Sequence, residues 1–407
     1  MKVLYTAVLT TLLILTTFAT GQVKQVSGNV ITPNSSIEMP SDIGMRAHTN
    51  IHVLLPTKPL VTARPFGVPY AGYAYESPAS LACVYSLATV VTGCNPNKVT
   101  ANPTGGARMI AIVDAYDAPN AANDLAAFST QFGLPAANFQ TVYASGTRPA
   151  YDYGWEMEES LDVQWAHAMA PGAKIVLVEA ASSYFSDLMV AEDVAGNMVT
   201  AAGGGEVTNS WGGGEFPGET SYDSHFLKAN VVYFASAGDG PGTIWPSTSP
   251  NVVSAGGTTV RRNAATGAFL SEYPWDSTGG GVSHYEPRPS YQGAISSQVG
   301  NFRGTPDLSF DANPNTGVWV FDSNIGGWLV VGGTSVSSPA LAGIINSAGT
   351  FRASTNAELT TIYGNRANTA DFRDITTGFC GPYGGYSGAA GWDMCTGVGV
   401  VAGKAGK

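Results

Sequence analysis

The stretch RMIAIVDAYDAPNAANDLAAFSTQFG, residues 108–133, sets a continuous apolar run directly ahead of a segment with helical spacing. A run such as MIAIV offers no polar face, so both sides of that strand must be covered. The pairing recurs along the chain. KIVLVEA (174–180) precedes YFSDLMVAEDVAGNM (184–198), and WLVVGG (328–333) precedes SVSSPALAGIINSAG (335–349). NVVYFASAG (230–238) and NVVSAGGTT (251–259) add two further strands. Buried strands alternating with helices predict an α/β fold: a doubly wound, mostly parallel central sheet with helices on both faces. An active site in such a fold lies beyond the carboxyl ends of the strands.

Composition narrows the function classes. The 407 residues are 44% hydrophobic and only 12% charged, which suits one large core. A formal net charge of −11 lacks the basic face that nucleic acid requires. With 19 Lys and Arg and five His, the positive charge at acid pH is capped at 24. Self-repulsion in acid is therefore limited. MKVLYTAVLTTLLILTTFATGQ, residues 1–22, reads as a signal peptide ending at small residues near 19–21, so a secreted protein with no stable membrane association is expected. Four cysteines fall into two close pairs, Cys83 with Cys94 and Cys380 with Cys395. They suggest two local disulfides, although the sequence alone permits other pairings.

VVGGTSVSSPALAG, residues 330–343, offers a serine nucleophile. Ser335 falls at a strand-to-helix turn, where free N–H groups of the helix start can hold an oxyanion. Serine is also a common helix cap, so a bare Gly-Thr-Ser carries little. A hydroxyl needs a base, and no histidine has the context of one. Asp114, after the first strand, is expected to be structural or cleft-lining.

A carboxylate pair is the other candidate for the base. Trp155 to Met169 reads as a helix. Glu158, Leu161, Asp162, Trp165 and Met169 share one stripe; Glu156, Ser160, Gln164 and His167 form a polar one expected to face solvent. Glu158 and Asp162 stand four apart on the otherwise apolar stripe, where like charges repel and the pair tends to hold a proton. The plainer alternative is a solvated acidic helix face.

These strings resemble the sedolisins, or serine-carboxyl peptidases. The Gly-Thr-Ser-x-Ser-Ser-Pro string matches a signature shared with subtilisins, but the subtilisin histidine motif is absent. Glu-x-x-Leu-Asp at 158–162 and Ser-Ala-Gly-Asp at 236–239 match the sedolisin pattern. The resemblance implies Ser335 as nucleophile, Glu158 as proton shuttle, Asp162 as its support and Asp239 as the oxyanion-hole acid. Asp239 can donate a hydrogen bond only while protonated, and that calls for acid conditions. Ser210, Trp211 and Gly212 resemble the substrate-lining segment, with Trp211 walling a pocket. One Ca²⁺ is implied in a C-terminal loop, through the carboxylates of Asp374 and Asp393 and the carbonyls of Ile375, Ala389 and Gly391.

The resulting expectation has three parts: a signal peptide (1–21), a lead-in packed on the catalytic domain (22–105), and a peptidase domain (106–407). The lead-in is read as extended and as staying attached, in a branch without a long propeptide. The expected activity is endopeptidase action on peptides or unfolded proteins, by a monomer. The alternatives are a tripeptidyl-type exopeptidase, an esterase-like hydrolase, and a non-catalytic secreted binding protein on the same fold.

Overall fold

The computed structural model describes residues 24–27, 29–54, 67–69, 73–381 and 385–407. The signal-peptide reading of residues 1–21 lies outside them. Among the described residues no helix is long and apolar enough to cross a membrane.

In chain order the elements that position the site are β1 (His48–Thr49), β2 (His52–Leu54), α1 (Pro78–Val84), β3 (Met109–Ala115), α2 (Ala121–Phe132), β4 (Asn138–Tyr143), α3 (Tyr153–Met169), β5 (Lys174–Ala180), α4 (Phe185–Ala201), β6 (Gly205–Asn209), β7 (Trp211–Gly214), β8 (Val231–Ser236), β9 (Val253–Arg262), β10 (Leu308–Asp311), β11 (Val318–Asp322), β12 (Gly327–Gly332) and α5 (Thr334–Ala348). Strands β10, β9, β8, β6, β3, β5 and β4 lie side by side in that order, every neighbouring pair parallel. This is the sheet the apolar runs require. All seven residues of β3 are buried, because α3 packs on one face and α4 on the other. The core is accordingly split in two, with Leu161, Trp165 and Leu341 on the α3–α5 side and Phe185, Leu188 and Trp211 on the α4 side.

Three expectations need correction. The strand ahead of Ser335 is not part of the parallel sheet. β12 pairs antiparallel with β11 and with β2, in a five-stranded sheet that the lead-in completes. An apolar run tells that a strand is buried but not which sheet buries it. The lead-in is also not uniformly extended, since α1 forms behind a reciprocal Ser77–Ser80 capping box with Pro78 in its first turn. Lastly, the polar stripe of α3 does not face water: Glu156, Ser160, Gln164 and His167 are all fully buried. α3 is wedged among α2, α5, β11 and the sheet, which leaves it no solvent face. Gln164 pairs with the backbone N–H and carbonyl of Phe321, and His167 Nε2 meets the Pro135 carbonyl at 3.0 Å.

Both cysteine pairs are bridged as their spacing suggested, Cys83 to Cys94 and Cys380 to Cys395.

Candidate active site

Ser335 is the second residue of α5, which begins at Thr334 directly after its cap residue Gly333. Gly333 has φ +111°, and a Cβ there would stand 2.0 Å from the Asn50 carbonyl oxygen. Gly332 is equally constrained, because a Cβ would sit 2.3 Å from the Pro314 nitrogen. The two glycines therefore admit backbone that any side chain would exclude. Pro339 lies inside α5 and has no N–H to return to the Ser335 carbonyl. That carbonyl accepts the Ser210 hydroxyl instead, at 3.1 Å.

Ser210 joins the serine to the acid pair. Its Oγ also lies 2.8 Å from Asp162 Oδ1, and its own carbonyl accepts the Ser335 hydroxyl at 3.2 Å. Asp162 Oδ2 and both oxygens of Glu158 are buried without a hydrogen-bond partner. Burial pushes both acids well above the usual carboxylate range. For Glu158 the charges of Asp162 and Asp114 add to that, while the Ser335 hydroxyl is near enough to oppose it. Asp114 is thus a third acid of the group, fully buried, with neither oxygen partnered. Sequence reasoning gave it little weight, because an acid after a strand usually serves a turn.

Asp239 reaches the site from the loop after β8. Its Oδ1 accepts the Thr334 N–H at 2.7 Å and the Thr334 hydroxyl at 2.8 Å. Burial lifts its pKa to about 7 against those two donors. Its Oδ2 lies beside the Cα of Gly333, as does the Asn50 carbonyl oxygen. His52 Nε2 stands 3.3 Å from Oδ2, with Nδ1 against the Thr32 hydroxyl, and burial lowers its pKa to about 4. Among the described residues His52 is the one imidazole at the site, and it meets Asp239 rather than Ser335.

The three sequence-derived acids and Ser335 therefore converge, with Ser210 between Asp162 and the serine. Trp211 does not wall an open pocket. It is fully buried, packed on Phe185, with its indole N–H on the Val113 carbonyl. Gly212 pairs with His48 of β1. The lead-in's place over this site left no signal in the sequence, since residues 48–52 carry no motif.

In the C-terminal loop Asp393 accepts backbone N–H groups of Ala389, Cys395 and Thr396, and Asp374 Oδ2 accepts that of Gly391. Asp374 Oδ1 is buried with no partner, and the Ile375 carbonyl faces Gly388. A separate group, Asp124, Glu156 and Asp322, brings three carboxylates within 4.8 Å of one another. N–H groups of Ser323, Asn324 and Ile325 point at it, and burial beside Asp322 raises Glu156 to about 9. Such surroundings favour two acids sharing a proton.

No protein-family model matches the chain. Among known proteins it is 36% identical to sedolisin of Pseudomonas sp. (strain 101) over 173 residues, 39% of this chain and 28% of that protein. It is 31% identical to kumamolisin of Bacillus sp. (strain MN-32) over 345 residues, 72% of this chain and 58% of that one. In each case the chain spans less than two thirds of the relative's length. Among solved structures, Pseudomonas sedolisin, a serine-carboxyl proteinase complexed with pseudo-iodotyrostatin, superposes with a TM-score of 0.68 at 26% identity. That match covers 81% of this chain and 95% of the other. Fold, motif order and relatives agree in likening the chain to the sedolisins, in sequence over 72% of its length and in fold over 81%.

Proposed function

We propose that the protein is a serine-carboxyl peptidase acting in acid, with Ser335 as nucleophile. The observation that carries the reading is the buried acid pair on α3, placed against a serine whose own partners include no imidazole. With one proton shared in the pair, Glu158 takes the Ser335 proton as the acyl-enzyme forms. It then returns that proton to the leaving amine. Asp162, fixed by Ser210, holds Glu158 in line. Asp239 and the Ser335 N–H receive the carbonyl oxygen as it becomes negative. Below its pKa of about 7 Asp239 is neutral and donates; above that it is charged and repels.

The substrate class is peptide or unfolded protein, cut internally, by a secreted enzyme. Tripeptidyl-peptidase 1 of Dictyostelium discoideum is also a relative, 25% identical over 353 residues, and it keeps an exopeptidase in view. One Ca²⁺ fits the C-terminal loop, where Asp374 Oδ1 is a buried oxygen with no partner. Asp374 and Asp393 would hold it, with the carbonyls of Ile375, Ala389 and Gly391. Its contribution would be to fix the loop that Cys380–Cys395 already braces.

The test is cleavage of denatured protein from about pH 2 to 8, with wild type beside Ser335→Ala. Activity peaking in acid and absent from the variant is expected. A peak above neutral pH would remove the roles of Glu158 and Asp239.

A further inference from the structure

The active serine has no solvent access: Ser335 is fully buried, and what covers it is this chain's own residues 48–52. Their backbone follows a register. β1 pairs antiparallel with β7, His48 opposite Gly212 and Thr49 opposite Trp211. The Asn50 N–H continues the ladder to the Ser210 carbonyl at 3.3 Å. The Asn50 carbonyl oxygen accepts the Ser335 N–H at 3.2 Å and lies with Asp239 Oδ2 beside Gly333. The Asn50 N–H is 3.1 Å from Ser335 Oγ. Beyond it, His52 of β2 pairs with Gly332 of β12. A peptide about to be cut needs its carbonyl oxygen at the oxyanion donors and its backbone held by strand pairing on the acyl side. Asn50 meets both requirements.

The side chain adds a specificity. Asn50 Nδ2 donates to Ser236 Oγ at 2.7 Å, at the buried end of β8. Ile244 fills the gap between Gly212 and Gly238, its Cδ1 lying 2.5 Å and 3.2 Å from where their Cβ atoms would stand. A short polar side chain is thus met by a hydroxyl.

Resting on the peptidase reading above, we propose that this cleft selects asparagine on the acyl side of the scissile bond. Ser236 reads its amide, and Asn50–Ile51 is the bond the chain presents to itself. Ser335 Oγ attacks the Asn50 carbonyl carbon while its proton passes to Glu158. The Asn50–Ile51 C–N bond breaks, and Glu158 protonates the Ile51 nitrogen. Water then hydrolyses the ester, leaving Asn50 as a free carboxylate and restoring Ser335.

The full chain, with Ser335→Ala beside it, is held at acid pH and read by intact mass and amino-terminal sequencing. A new terminus at Ile51 in wild type alone is expected. In parallel, wild type is given peptides differing only at the residue before Ile: Asn, Asp, Ala, Leu or Phe. The Asn peptide should lead in kcat/KM by about tenfold, the scale of one buried hydrogen bond lost. In Ser236→Ala the ratio of Asn to Ala should fall toward one. Cleavage of denatured protein with residues 50–51 intact, or with no preference for Asn, overturns the proposal and leaves the peptidase standing. Failure to cleave any substrate overturns both.

Discussion

At the scale of single residues, the proposed mechanism turns on one proton at Asp239. Its pKa of about 7 follows from burial opposed by two Thr334 donors, so the acid form prevails below neutrality. Asp239→Ala removes the donor and should lower kcat about 10²–10³-fold at acid pH, with KM for peptide little changed. Asp239→Asn keeps an amide donor that does not titrate. Its rate should no longer fall as pH rises through about 7, and whatever alkaline limb remains belongs to the Glu158–Asp162 pair. An unchanged alkaline limb in the Asn variant would mean that Asp239 does not set it. Pro339 permits a second test at this scale. In Pro339→Ala a new N–H competes with Ser210 for the Ser335 carbonyl. Single-turnover acylation should slow by a few fold while the fold is retained, because Ser210 then holds Asp162 less firmly.

At the scale of elements, α3 is the part that the sequence disclosed least evenly. The spacing of Glu158, Leu161, Asp162, Trp165 and Met169 located the acid pair on one stripe, and the motifs at Ser335 and Asp239 located what it faces. The rest of the helix misled, because polar residues imply solvent only where solvent is available. Here Glu156 is buried and raised to about 9 beside Asp322, itself raised to about 6. The same limit explains β12, whose apolar run could not name its sheet, and residues 48–52, whose role lies in long-range backbone pairing. Glu156→Gln tests the reading that Glu156 and Asp322 share a proton. It keeps a hydrogen bond to Asn324 and removes one of two competing charges. Melting above pH 7 should rise relative to wild type and change little at pH 4, where Glu156 is already protonated. A loss at both pH values would mean that the shared proton between Glu156 and Asp322 is needed for packing.

At the scale of the whole molecule, the acids share one bias. Beyond the site, Glu219 is raised to about 8, Glu286 to about 9, and Glu179 and Glu358 to about 7, with burial the first cause of each. A carboxyl whose folded pKa is raised holds its proton in the native state where the unfolded chain has lost it. Such a group contributes stability fully present below the unfolded pKa, about 4. That contribution is lost as pH climbs through the folded values of about 7 to 9. Acid also costs this protein little in repulsion, since its positive charge is capped by 19 Lys and Arg and five His. The fold should therefore melt highest near pH 4 and lower at pH 8, by on the order of 5 °C or more at fixed scan rate. Calorimetry across that range, on Ser335→Ala so that self-cleavage does not intervene, reads the slope directly. A melting temperature that rises toward pH 8 would mean that these buried acids are ionised in the native state. Glu158 and Asp239 would then lose, along with them, the protonated forms on which their proposed roles depend.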